Sequence, residues 1–347
     1  MIQGQTRTEA QYRAVQMDSS SSLKEFSMNR KKYHKRYILN ERTEEEENKA
    51  TTMGKVVETL LMEPELFDEK FHMSVVNKAP TELMLAFVEG LYKHTMLATN
   101  EAGEVTRTFQ EIAADAHAES GFKLKLDAVL SKFIGSDAEV YYQEIRQVRS
   151  RGLTVITTQE VDTATRIVEG LRTNAFTAPI VNLVNSARYS VYNQFQVEGY
   201  NVHGHQFKSM MDKVIVDHEV KTIQVFDLKC TWSVEGFFKE YYLNRRAYIQ
   251  GYLYWKGVMH AFADLITEGY TVLYPAFIVC DSTNYMAALI YQMSDINLTD
   301  AAIGFEYRGI SYPGVQDIIT DLEWAVANDT WDISRENYLN NGVVKLG

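Results

Sequence analysis

Between residues 190 and 230 apolar and polar positions alternate with a period of two, whereas much of the remaining chain follows a helical period. In the stretch SMMDKVIVDHEVKTIQVFDLKC (209–230) the alternation runs from Lys213 to Val216 and again from Ile223 to Cys230, which predicts a half-buried β-hairpin. Successive side chains point to opposite faces of a sheet, so Val225, Asp227 and Lys229 share one face and Phe226, Leu228 and Cys230 the other. A turn about Glu219 and Val220 sets Asp212 close to opposite Asp227. Carboxylates facing each other across a ladder repel, so this placement calls for a counter-charge.

The segment 51–64 predicts a helix with a threonine cap, Val56, Val57, Leu60 and Leu61 on one face, and Pro64 as its stop. Glu58 sits at the edge of that apolar stripe. Residues 80–150 are mostly helical in pattern. In 157–174, Thr157 and Glu160 form a capping box ahead of Val161, Ala164, Val168 and Leu171 at helical spacing. After the hairpin, 233–262 predicts one long helix, along which Arg246, Gln250 and Tyr254 follow at four-residue steps and share a face. A short strand at 275–281 and helical patterns around 315–328 complete the chain. No internal repeat or low-complexity linker is present, and five prolines give little support for a split into two domains. The expectation is therefore a single domain over 1–347 with an insertion.

Composition narrows the function classes. An apolar fraction of 46% over 347 residues supplies a sizeable core. The N-terminal stretch MIQGQTRTEAQYR has no apolar leader region, and no apolar run approaches bilayer length, so the expected location is the cytoplasm. Two cysteines, Cys230 and Cys280, are too few for a disulfide framework, a zinc cluster or a four-cysteine iron–sulfur site. Any metal would thus be held by oxygen or histidine. A net charge of -11 argues against bulk electrostatic coating of nucleic acid, though not against local contacts. The segment 23–37 gathers Lys24, Arg30, Lys31, Lys32, Lys35 and Arg36 among aromatics, and an acidic run at 41–48 follows. By itself this pattern describes a solvated helix and an acidic loop.

Opposed carboxylates become favourable around a divalent cation, and oxygen donors of this kind suit magnesium or manganese. A lysine beside such an ion can orient the attacking water or stabilise the charge that builds in the transition state. Asp212, Asp227 and Lys229 therefore contain the parts needed to hydrolyse a phosphodiester. Their spacing, Asp212 and then Asp227-Leu228-Lys229, resembles the PD-(D/E)XK nuclease signature. Gln250 and Tyr254 match the Q-x-x-x-Y motif that follows the catalytic hairpin in RecB-like members. The segments SSLKEF, MGKVVETLLMEPELFDEKF, MMDKVIVD, FDLKCT and FIVCD occur in the order of exodeoxyribonuclease VIII (RecE-type) nuclease domains. The resemblance spans most of 20–335, and 80–150 is its least matched portion.

That resemblance implies an α/β fold with a central mixed β-sheet flanked by helices. N-terminal helices would occupy 20–75, a helical insertion 80–150, and the catalytic core with C-terminal helices 190–335. It implies that Glu58, Asp212 and Asp227 bind Mg2+, which Mn2+ could replace, with the Leu228 carbonyl as a further ligand. Lys229 would act at the attacking water, and Gln250 and Tyr254 would support that lysine or a substrate phosphate. The implied activity is an exodeoxyribonuclease that trims one strand from double-stranded DNA ends, exposing single strands for recombination or replication in a bacterial or phage-infected cell. A ring-like homo-oligomer and a single-strand annealing protein are the implied partners. Lys24, Arg30, Lys31, Lys32, Lys35, Arg36 and Arg246 would contact DNA. Two positions depart from the family pattern: Met211 replaces the proline of the signature, and Glu58 stands where RecE-type relatives often carry histidine.

Plainer readings exist for the same residues. Asp212 and Asp227 could pair with Lys213 and Lys229 on a surface, Gln250 and Tyr254 could be packing residues, and Arg246 could serve a structural ion pair as readily as a phosphate. His203 and His205 fall on one side of a strand, but no third ligand accompanies them. A nicking or structure-selective endonuclease could use the same site, and a non-catalytic DNA-binding scaffold could keep the same fold. Iron–sulfur relatives are excluded by the cysteine count.

Overall fold

The structure is a computed structural model and describes residues 7–41 and 49–344, so that most of the acidic run lies outside the described residues. The chain divides into two compact units, Thr51–Glu169 and the remainder, Met1–Ala50 with Gly170–Gly347. Among the described residues no helix is long and apolar enough to cross a membrane.

The unit Thr51–Glu169 is mainly helical, as the weak punctuation of its sequence predicts. The helix Lys49–Met62 enters it and stops ahead of Pro64, with Val56, Val57 and Leu61 buried and Glu58 half-buried. Helices Glu82–Leu97, Phe109–Glu119, Leu126–Phe133 and Asp137–Val148 enclose a core of Phe87, Leu91, Ile112, Phe133 and Ile145. A two-stranded parallel ribbon of β1 (Phe71–Met73) and β2 (Thr154–Ile156) borders it. The helix Thr158–Thr173 begins at the expected capping box, with the Thr157 N–H donating to Glu160 Oε2 at 2.8 Å.

The other unit is built on a mixed sheet in the order β3 (Tyr189–Val202), β4 (His205–Asp217), β5 (Thr222–Thr231), β7 (Ala276–Asp281) and β8 (Leu289–Gln292). Here β6 (Thr271–Val272) extends the edge of β5, and a separate ribbon pairs β9 (Phe305–Tyr307) with β10 (Ile310–Tyr312). β3, β4 and β5 are antiparallel, β5 and β7 parallel, β7 and β8 antiparallel. The helix Ala247–Ala261 lies on this sheet and buries Tyr248, Ile249, Leu253 and Val258 in one core with Val214, Val216, Ile223, Val225 and Phe277. Two glycines permit the close approach: a Cβ at Gly251 would stand 2.3 Å from Met293 Sδ, and one at Gly257 2.7 Å from Met211 Cε. Each large side chain buried here contributes roughly 1.5–3 kcal/mol.

The long helix expected over 233–262 is interrupted. A wide π-type turn, Phe238–Asn244, ends at Arg245; Arg246 adopts a left-handed conformation (φ 54°), and the α-helix starts at Ala247. Aromatic anchors fix both sides of the break, Phe237 against Phe277 and Tyr291, and Tyr248 against Phe305. Arg246 is therefore not on the face shared by Gln250 and Tyr254, because four-residue spacing aligns side chains only within one uninterrupted helix. The two histidines are likewise divided. His203 lies in the β3–β4 turn (φ 52°) and His205 opens β4, where its Nε2 pairs with Asp18 Oδ2 at 2.9 Å.

A candidate active site at a strand fork

The ladder between β4 and β5 runs from Asp217 opposite Thr222 to Lys213 opposite Phe226. On its other edge β5 pairs with β7, from Phe226 opposite Ala276 to Thr231 opposite Asp281. The strands part where Asp212 and Asp227 stand. Asp212 Oδ2 accepts the Leu228 N–H at 2.7 Å, so a side-chain carboxylate satisfies a backbone donor at the end of the β4–β5 ladder. Only 9% of Asp212 and 3% of Asp227 is exposed, and charges so deeply placed require dedicated partners.

Local backbone explains how Asp212 comes to face this fork. In β4 the core-facing positions are Phe207 and Met211 before it and Val214 and Val216 after it, so the parity of the strand reverses around Asp212. The neighbouring β3 does the same: Tyr192 and Phe195 both pack on the core, and Gln194 between them has φ 48°. The register, Asn193 opposite Lys213 and Phe195 opposite Met211, brackets Gln194 against Asp212. A buried non-glycine residue in left-handed conformation beside a buried carboxylate is a local strain of the kind found at active sites. Nothing in the sequence marked Gln194.

Asp227 is the hub of the site. Its Oδ1 accepts from Gln250 Nε2 at 2.6 Å, and its Oδ2, which makes no hydrogen bond, has the Lys229 ammonium 2.5 Å away. Gln250 Nε2 also donates to the Tyr254 hydroxyl (2.9 Å), which donates in turn to the Met210 carbonyl (2.8 Å). Burial, then the charges of Asp227 and Asp212, raise the Tyr254 hydroxyl well above the usual tyrosine range, so it stays a neutral donor. Gln250 Oε1 accepts from Lys24 Nζ at 3.2 Å. An ammonium can only donate and a carboxylate only accept, so the two partners fix which way the Gln250 amide points.

Lys24 departs from the solvated-helix reading. It is half-buried on the helix Ser20–Met28, whose Leu23 and Phe26 enter the core. Burial, then repulsion from Lys229, lower its pKa to about 8, and Asp227 offsets this only in part. The other cations of the segment have separate partners. Arg30 is ion-paired with Asp321, Lys32 with Glu25 (2.9 Å) and Arg36 with the same glutamate (3.5 Å). Lys31 and Lys35 are exposed. Arg246 Nη1 donates to the Ser27 carbonyl at 3.0 Å.

The neighbours of the hairpin also differ from the plainer expectations. Lys213 is buried and turned away, its Nζ directed at Asn193 Oδ1 (3.3 Å) and the Leu183 carbonyl (3.5 Å), with its pKa lowered by burial to about 8. Cys230 is half-buried and sits in register with Cys280, both thiols being free. The Cys230 contact and burial push the Cys280 thiol well above its ordinary range.

The fork offers carboxylate oxygens from Asp212 and Asp227, hard donors of the type that hold magnesium together with water and substrate phosphate. Among the described residues no three His, Cys, Asp or Glu side chains are grouped as a metal site. Glu58 belongs to the unit Thr51–Glu169 and is not on the sheet. Asp227 Oδ2, which makes no hydrogen bond, is buried and faces the Lys229 ammonium at 2.5 Å.

No protein-family model matches this chain, and no curated protein matches it. Among solved structures the chain is similar to a "Putative exonuclease" from Eubacterium rectale, with 14% identity, a TM-score of 0.49, and coverage of 99% of this chain and 96% of that one. At that distance neither fold nor activity carries across, and the mixed α/β architecture stands on the sheet and helices described above.

Proposed function

We propose that the chain is a metal-dependent deoxyribonuclease of the PD-(D/E)XK type, trimming duplex DNA from its ends. What supports the reading is the continuous set of contacts at the fork where Asp212 ends the ladder, an ion pair from Lys229 to Asp227 and hydrogen bonds from Gln250 to Asp227 and to Tyr254. The motif resemblance names these same residues. Asp212, Asp227 and the Leu228 carbonyl would hold the divalent ion. When bound, such an ion polarises a phosphoryl oxygen and lowers the pKa of a coordinated water. The Lys229 ammonium would orient the attacking water and meet the charge that grows on the phosphoryl oxygens as the new P–O bond forms and the bond to the departing strand breaks. Gln250 fixes the Asp227 carboxylate, and Tyr254 fixes Gln250. DNA retention by so acidic a chain would draw on a few cations from each of several subunits and, in the cell, on an annealing partner for the exposed strand.

The test is incubation of the full chain with linear and with closed-circular duplex DNA, in magnesium and in chelator. Progressive shortening of the linear form alone, abolished by chelator, is the expected result. Cutting of closed circles would overturn the end-dependent mode, and cleavage that persists in chelator would overturn the metal-dependent one.

A further inference from the structure

We propose that Lys24 binds a phosphate of the substrate strand directly, as a second ammonium placed across Asp227 from Lys229. The inference rests on the nuclease reading and deepens it by assigning a substrate contact that lies outside the hairpin.

Three observations carry it. First, Lys24 Nζ is 3.2 Å from Gln250 Oε1, and the same amide touches Asp227, so the ammonium stands one side chain away from the catalytic carboxylate. Second, its hydrogen-bond partner among the described residues is a neutral amide oxygen, whereas Arg30, Lys32 and Arg36 on the following turns each have a carboxylate. Third, burial and the neighbouring Lys229 disfavour its charge, Asp227 offsets this only in part, and Arg245 adds to the repulsion. The helix cannot rotate to relieve that crowding, because Leu23 and Phe26 on either side are fully buried. A mutually repelling pair of ammonium groups in a half-buried site is what an incoming phosphodiester neutralises, and lysine serves phosphate well as a compact point charge.

The experiment measures binding of a short linear DNA duplex to the full chain in chelator, across a salt series, for wild type, K24Q and K24R. Neutralising a phosphate contact is expected to weaken binding about tenfold and to reduce the slope of log affinity against log salt by about 1, with K24R keeping the wild-type slope. Unchanged affinity and slope in K24Q would overturn the proposal, as would a K24R slope reduced as far as that of K24Q. A purely structural role, in which Lys24 only steadies Gln250, would lower cleavage without moving the slope. If K24Q does not fold, the same readout comes from pH: between pH 7 and about pH 10 the wild-type slope should fall as the lysine loses its proton while that of K24R holds, and parallel behaviour would overturn the proposal. Cleavage assays run alongside separate the two readings. Cutting by wild type with no Lys24-dependent slope removes this inference alone, and a Lys24-dependent slope without cutting removes the nuclease reading alone. A wild type that does not bind the duplex removes both.

Discussion

Two clusters of charge in the same unit are organised on opposite principles. Along 30–36, Arg30, Lys32 and Arg36 are matched to Asp321 and Glu25, and the pairs tie the N-terminal segment together. At the fork, Asp212 and Asp227 meet Lys229 and Lys24 in a crowded group that closes through a neutral amide. The first arrangement gives its cations carboxylates on neighbouring helices; the second gathers two cations around one buried carboxylate, one of them through an amide. Cations that look equivalent in a sequence window therefore differ in what they can do, and the difference is set by distant partners.

If that contrast is correct, damage at the fork should appear in the chemistry and damage in the segment should appear in stability. The largest effect is expected for K229A, which removes the ammonium proposed to meet the reacting phosphate and should slow magnesium-dependent cleavage of linear duplex by about 10²–10³-fold, with the circular dichroism spectrum unchanged. Next comes Q250A, which leaves Asp227 without its Oδ1 donor; a loss of about 10–100-fold in cleavage or in Mn2+ affinity by calorimetry is expected, the range for groups that orient metal ligands. In the segment, R30A should lower unfolding free energy by about 1 kcal/mol in urea, since the pair with Asp321 is partly exposed, while cleavage stays near wild type. A large cleavage defect in R30A would erase the contrast.

The smallest effect is on the pH dependence of stability. Lys24 and Lys213 have pKa values lowered from 10.5 to about 8 in the folded chain. Below pH 8 both states carry the proton and the cost of burying the charge is felt in full. Between pH 8 and 10.5 the unfolded chain binds more protons than the folded one, so these two lysines make stability rise with pH in that window. Urea unfolding at pH 8 and at pH 9.5 should show a smaller rise in K24Q than in wild type; an identical rise would mean that Lys24 titrates normally.

Much of the site was legible because its geometry is local. The hairpin register follows from period-two alternation about a fixed turn, and extending the observed pairs by one step brings Asp212 to Asp227. Gln250 and Tyr254 were legible for a similar reason, lying one helical turn apart within an unbroken helix. What escaped depends on distant partners. Beyond the Lys213–Phe226 pair β5 is held on its other edge by β7, some fifty residues further on. The break at Arg246 is held by aromatic contacts with Phe277, Tyr291 and Phe305, none of them near in sequence. Lys24 meets Gln250 across 226 residues. Gln194 gave no signal, since a positive φ at glutamine has no compositional signature.

The end of the β4–β5 ladder at Phe226 makes the gap between the two acidic groups a property of the main chain. One of them lies where β4 leaves the ladder, and the other rides on a strand whose far edge is held by β7, so their separation follows the course of the two strands as well as the choice of rotamer. Repacking side chains around them can change the electrostatics of the pocket, but its width is altered by moving the point at which the hairpin opens.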